Sequence, residues 1–449
     1  MDETSIALQS TLASYMVAMA SQAPNLGSDN LLHRFGPLVT GWDLLGKFKL
    51  DTFAKQIVGP VLTTGQARDR LGNPIAEGIN FGSQDYLSLA SHPQVMAAAH
   101  AAIEAYGVHS AGSPALMGNT TLSVELERRM CQFLGMNTCA LFPTGWGAGY
   151  GVIRALIRPT DHVVIDQLSH ACLWEGARAA TEHVHMFPHL SLAALEANLQ
   201  RVRAEHPNAG ILVVTESLFS MDADTPDLVA HQALARQYGA TLLVDMAHDL
   251  GSMGRHGLGA LEEQDMVGKV DVVMGSFSKT FASNGGFVAC NEPGLKLAIR
   301  FQCGPHTFTN AMSPVQAAVV LEALNIIESP EGLARRERLM ANAIRLREQL
   351  QADGWTVLGR PSAVVPLVAG GIGRSRLLTR FVLEAGMLVN LVEHPAVSRK
   401  GSRLRLQVMA DHQPEQIDAL VQVLRQCKPL ADAELAGINA TRGADEQLI

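Results

Sequence analysis

The chain has no paired cysteines, no basic block and no long apolar run, and each absence removes a class of protein. Its six cysteines stand apart at 131, 139, 172, 290, 303 and 427. None forms a CxxC pair, so neither a metal site nor a disulfide framework is expected, and the pattern suits a reducing cytoplasm. Lys and Arg form no cluster and the net charge is −8, so nucleic acid is not an expected partner. No stretch reaches the roughly 18–20 apolar residues that cross a bilayer. The start, Met1-Asp2-Glu3, is acidic where a secretory leader is basic. A soluble, cytoplasmic protein without a transmembrane segment is expected. No internal repeat is visible.

What is present is core-forming material. Of 449 residues, 47% are hydrophobic and only 17% charged, enough for two or three domains. Residues 1–79 read as a helical N-terminal arm, punctuated by Gly27, Gly36, Pro37 and Gly41. A large domain follows over 80–325 and a smaller α/β domain over 326–430. The polar and small residues of 431–449 are expected to be disordered. Within the large domain, apolar runs at 139–142, 163–165, 211–215, 241–244 and 270–274 alternate with helical stretches such as 124–134 and 192–203. That alternation predicts an α/β fold, a mostly parallel sheet with helices on both faces. A long helix is predicted over 330–352, where Leu339, Ala343, Leu346 and Leu350 recur at helical spacing.

Four of the apolar runs end in chemistry. Val270-Asp-Val-Val-Met-Gly-Ser-Phe-Ser-Lys279 presents one lysine after a buried strand, with Ser276 and Ser278 beside it. A desolvated lysine can lose its proton and attack a carbonyl, although a lone lysine after a strand is as readily an ordinary surface residue. Thr241-Leu-Leu-Val-Asp245-Met-Ala-His248 ends in an acid that needs a cationic partner. A pyridinium nitrogen is one such partner; a structural Asp–His hydrogen bond is the plainer alternative. Ala140-Leu-Phe-Pro-Thr144-Gly145-Trp146-Gly147 places a glycine-bearing turn before a helix, whose N–H groups can hold phosphate. Asp166-Gln-Leu-Ser-His170 follows another strand, and His170 is able to stack on a ring or merely to cap a helix.

Taken together and in this order, these elements resemble fold-type I pyridoxal-phosphate (PLP) enzymes. More narrowly they resemble the α-oxoamine synthases, the family of 8-amino-7-oxononanoate synthase, 2-amino-3-ketobutyrate CoA ligase, 5-aminolevulinate synthase and serine palmitoyltransferase. Further matching text is Asn80-Phe-Gly-Ser-Gln-Asp-Tyr-Leu-Ser-Leu89, Glu216-Ser-Leu-Phe-Ser-Met-Asp222 and Arg403-Leu-Arg405, and the likeness covers roughly residues 50–425. The resemblance implies that Lys279 carries PLP as a Schiff base, Asp245 pairs with the pyridine nitrogen and His248 bonds the phenolic oxygen. His170 would stack on the ring. Thr144, Gly145, Trp146, Ser276 and Ser278 would surround the phosphate, with Ser220 and Glu216 near the ring and the acyl-transfer site, where Glu216 would meet substrate. Arg405 would clamp the substrate carboxylate, with Gln84 nearby. Thr309 would reach the cofactor of a second copy, making the protein a homodimer with shared sites. The implied reaction joins a small amino acid (Gly, Ala or Ser) to an acyl thioester of CoA or a carrier protein, with loss of CO2.

The chain departs from the family at several points. Gln84 stands where Asn is common, Ser123 where His is, Pro114 where Arg is, and Leu190-Ser191 where Asn-Asp is. Glu393 occupies the position of an arginine of the oxononanoate synthases. A carboxylate there would repel a diacid acyl chain such as pimeloyl. Two other readings compete. A PLP aminotransferase shares the fold, the lysine and the aspartate, but Ser169-His170-Ala with Ser220-Met-Asp222 favours the synthase. A catalytically silent partner subunit typically lacks the lysine that this chain has.

Overall fold

The structure is a computed structural model that describes residues 30–440. Its centre is a seven-stranded sheet. The strands are β4 (Thr138–Phe142), β5 (His162–Asp166), β6 (Val184–Phe187), β7 (Ile211–Glu216), β8 (Thr241–Asp245), β9 (Val272–Ser276) and β10 (Gly286–Cys290), in the order β4-β10-β9-β8-β7-β5-β6. Only β10 runs antiparallel to its neighbours. The predicted mostly parallel α/β sheet is therefore present, with two strands, β6 and β10, that the apolar runs did not single out.

Alternation along each strand sends side chains to two separate cores. Val164, Val213, Leu242 and Val244 pack on one face, and Val163, Ile165, Leu212, Val214 and Leu243 on the other. Both faces are covered by helices, so the strands read as continuous apolar runs rather than alternating ones. The predicted helices appear over Thr121–Leu134, Leu192–Glu205 and Pro330–Ala352. In the last, Leu339, Ala343, Leu346 and Leu350 are fully buried.

The arm and the tail need correction. Residues 1–29 lie outside the described part and Gly36–Lys47 is helical as expected, but 56–80 are not helical. They form β1 (Gln56–Val58), β2 (Thr64–Arg68) and β3 (Pro74–Asn80), and β3 pairs in parallel with β12 (Met387–Leu388). The arm thus joins the sheet work of the C-terminal region, where β11 (Val364–Gly370), β13 (Leu391–Val392) and β14 (Ser402–Gln407) form a three-stranded antiparallel sheet. At the other end, residues 431–440 continue the helix Pro414–Ala440. Leu435 and Ile438 pack against the core, and Arg374 and Arg380 bond Asp432 and Glu434. Residues 441–449 lie outside the description.

Candidate active site

The carboxyl ends of the parallel strands are where such sheets collect ligands. A cavity of about 260 Å³ opens there, lined by side chains from the ends of β4, β5, β7, β8 and β9. It brings together Thr144, Gly145, Trp146, His170, Glu216, Asp245, His248, Ser276, Ser278 and Lys279.

The helix Gly145–Leu156 starts at the cavity. Thr144 caps it, its hydroxyl accepting the Gly147 N–H at 3.0 Å. Gly145 is required by space: a Cβ there would stand 2.5 Å from both Cβ and Oγ of Ser276. The Gly145 and Trp146 N–H groups, ahead of Gly147, have no acceptor among the described residues, and both residues line the cavity, an arrangement suited to an anion. The hydroxyls of Ser276 and Ser278 lie 2.6 Å apart at the same end.

Asp245 closes the opposite side. One oxygen accepts the Ala247 N–H at 2.9 Å. Burial raises its carboxyl above the usual range, with His170 and Lys279 opposing. A buried acid of this kind is stabilised by a bound cation. Burial holds Lys279 below the ordinary lysine value, Asp245 acting the other way, so loss of its proton is made easier. Burial and the charges of Lys279 and Arg405 keep His248 neutral.

His170 is held from three sides. It is the N-cap of the helix Ala171–Ala180, and its own N–H donates to Glu216 Oε1 at 2.6 Å. Its Nδ1 accepts the Cys172 N–H at 3.3 Å, with Cys172 Sγ at 3.0 Å. The Trp146 ring meets it edge-on at 5.8 Å. Glu216 is fully buried, and burial together with neighbouring Asp245 holds its carboxyl well above the usual range. The strand register, Glu216 opposite Asp245, makes the two acids neighbours.

The remaining candidates are placed differently. Arg405, on β14, does not line the cavity wall, but its Nη2 lies 3.4 Å from His248 Nδ1 and its charge acts on Lys279. Its Nε is buried without a partner. Ser220 is buried and does not line the cavity, and neither does half-buried Gln84. Thr309 is exposed, its hydroxyl donating to Pro305 O at 2.7 Å, and it does not line the cavity of its own chain.

Glu393 requires a correction. It is not a free carboxylate awaiting a substrate. It makes a two-pronged pair with buried Arg376, including an Nε–Oε2 contact of 2.9 Å, and Arg376 also donates to Leu50 O. The neutralised Glu393 gives no ground for repelling a diacid. The other departures have local structural roles. Ser123 completes a capping box with Thr120, Pro114 O accepts from Asn119, Leu190 adopts φ +58° with its N–H on Asp166, and Ser191 caps the next helix.

The sequence reading missed Cys172, Met274, Ala247, Asn284 and Gly285 as lining residues, and Tyr86 as a partner of His248. Asn284-Gly285-Gly286 is a turn signal shortly after the lysine, which would have flagged two of them.

The cavity fits PLP: an anion-ready helix start at one end, a buried acid at the other, and a depressed lysine between them. The family model "Aminotransferase class I and II" matches residues 76–424. The fold and this match make the chain a fold-type I enzyme whose cofactor is PLP. An 8-amino-7-oxononanoate synthase of Geobacter sulfurreducens is 35% identical over 351 residues, covering 77% of this chain and 88% of that protein. A serine palmitoyltransferase of Sphingobacterium spiritivorum is 33% identical over 355 residues, 79% and 87% of the two chains. A solved structure described as serine palmitoyltransferase with a PLP internal aldimine superposes with TM-score 0.82 at 30% identity, over 90% of this chain and 99% of that one. The chain belongs to the α-oxoamine synthase family of PLP-dependent acyltransferases, enzymes that condense an amino acid with an acyl group.

Proposed function

We propose that the substrates are a small amino acid, Gly, Ala or Ser, and the acyl thioester of CoA or a carrier protein, and that CO2 is lost to leave an α-amino ketone. The observation that carries this is Arg405. It is a buried guanidinium beside His248 and Lys279, its Nε has no partner, and no described carboxylate lies within ion-pair distance. Such a group is costly unless an anion reaches it. Its planar fork suits one carboxylate held by two hydrogen bonds, as an α-amino acid offers.

Bound PLP supplies the electron sink for negative charge at the amino acid's Cα. The protein's residues do the rest. Lys279 Nζ would hold the cofactor, and as a free amine it is the base placed to take the Cα proton; its depressed affinity for protons keeps that amine accessible. Asp245 would pair with the pyridine nitrogen and favour its protonated form. His248 donates from Nε2 to the phenolic oxygen. The N–H groups of Gly145 and Trp146, with the hydroxyls of Ser276 and Ser278, hold the phosphate. His170 covers the ring face. A carbon–carbon bond then forms between Cα and the acyl carbonyl, and the thiolate leaves and takes a proton. The carboxyl carbon departs as CO2, and a proton returns to Cα. The second copy's Thr309 reaches the phosphate.

The test is a panel of Gly, Ala and Ser against acyl-CoAs and acyl carrier proteins of several lengths, one of them a diacid. Thiol release and product mass are read together. Thiol release with a product lighter by CO2 is expected. Amino-group transfer to a keto acid without thiol release would instead identify an aminotransferase.

A further inference from the structure

Two hydrogen-bond donors converge on one nitrogen of His248, and one of them has no other role. Tyr86 Oη lies 3.0 Å from Nδ1, and Arg405 Nη2 lies 3.4 Å from the same atom. A guanidinium can only donate, so Nδ1 accepts and the imidazole proton sits on Nε2. The Tyr86 hydroxyl therefore donates as well. Tyr86 is fully buried, and burial pushes its hydroxyl up to about 12, so it stays a donor across the neutral range. Its backbone is pinned by the Ala410 N–H, which donates to Tyr86 O at 2.9 Å.

The two donors are not equivalent. Arg405 has further N–H groups unspent, Nε among them, and is the group assigned above to the substrate carboxylate. Turning to that carboxylate would weaken its long contact with His248. The Tyr86 hydroxyl has His248 as its one hydrogen-bond partner among the described residues.

We propose that Tyr86 is a positioning residue: when Arg405 engages the amino acid's carboxylate, the Tyr86 hydroxyl alone keeps the His248 proton on Nε2. The inference rests on the reading of Arg405 as the carboxylate clamp. Without Tyr86, Nδ1 has no donor in the substrate complex, and the ring is free to take its proton there. Nε2 would then present a lone pair to the cofactor's phenolic oxygen, acceptor against acceptor. In the free enzyme Arg405 still holds the tautomer, so the loss is confined to the complex.

The experiment uses the PLP-loaded full chain with isotope-labelled histidine, the His248 signal being assigned by its disappearance in His248→Gln. In the wild type the NMR signature of the Nε2–H tautomer is expected with and without the amino acid. Tyr86→Phe should keep that signature alone and move toward Nδ1–H when the amino acid is added. Its kcat should fall about tenfold or more, the size of one lost hydrogen bond to a charge-stabilising group, with cofactor affinity of the free enzyme unchanged. The double variant Tyr86→Phe/Arg405→Ala should lose the tautomer in both conditions. Retention of Nε2–H in the double variant, or in amino-acid-bound Tyr86→Phe, overturns the role of Tyr86. A wild type that binds no amino acid overturns the carboxylate reading and the exchange with it, a failure visible without any Tyr86 variant.

Discussion

At the scale of single residues, charge placed out of water decides the chemistry. Asp245 is a buried acid whose carboxyl burial raises above the usual range, and its proposed partner is the cofactor's pyridine nitrogen. Asp245→Asn should lower kcat by about 100-fold or more and change cofactor binding less, because the missing interaction belongs to the transition state. Steady-state rates beside a PLP titration check this; near-wild-type turnover would remove Asp245 from the role. Glu393 and Arg376 make a different point. Their side chains are only 11% and 4% exposed, so Glu393→Gln leaves a buried guanidinium short of its counter-charge. A loss of roughly 3 kcal/mol of stability is expected. Replacing both partners by leucine should restore part of it, because a buried pair is expensive to desolvate. Thermal unfolding of the two variants settles the order.

At the scale of elements, the strand ends and helix starts make the site. The helix that begins at Gly145 can approach Ser276 only because residue 145 has no side chain. Gly145→Ala overpacks that contact, and cofactor affinity should weaken by about tenfold or more. Fluorescence titration with PLP reads the effect, and an unchanged affinity would show that the contact relaxes freely. The loop after β6 is tied down by His189, which sits between Asp166 at 2.9 Å and Asp224 at 3.0 Å. Burial alone would lower its pKa, but the hydrogen bonds and charges of the two acids push it up to about 10. A raised histidine contributes stability that is complete below its unfolded value of about 6.5 and is lost as pH rises through the folded one. The melting-temperature gap between wild type and His189→Gln should therefore be widest at or below pH ~6.5 and close toward pH ~10. A gap that widens with pH would contradict the charged His189.

For the whole molecule, the exposed apolar surface points to a second copy. Leu116 and Met117 are 83% and 89% exposed and Phe308 is 86% exposed. Their two segments are joined where the Ala311 N–H donates to Gly112 O at 2.8 Å. Thr309 lies in the same stretch and does not line its own cavity. A homodimer with Thr309 reaching the partner's phosphate accounts for all of this, and closed twofold pairing is the commonest symmetry. Mixing inactive Lys279→Ala subunits with inactive Thr309→Val subunits should recover part of the activity through hybrid dimers that keep one intact site. A fully active monomer by light scattering would overturn it. Among the described residues no helix is long and apolar enough to cross a membrane.

The sequence by itself determined the strands that end in Thr144, His170, Asp245 and Lys279, because each couples a local apolar run to a polar residue within a few positions. The shared cavity of those residues follows from their common place at the carboxyl edge of one parallel sheet. Local pattern could not reach what distance in the chain conceals. β1 and β2 are short and largely exposed and β3 is mostly half-buried, so none shows the apolar run that marks the central strands, and the partner β3 gains in β12 lies some three hundred residues on. Residues 431–440 are polar enough to look loose, yet Arg374 and Arg380 reach across from another helix to hold them. Glu393 looks like a free charge until Arg376 meets it. Tyr86 is one aromatic among many until it stands 3.0 Å from His248, a residue 162 positions away. Hydrophobic periodicity is a property of neighbouring residues. The pairing of buried charges and hydrogen bonds is a property of the packed chain, and tertiary structure alone decided it.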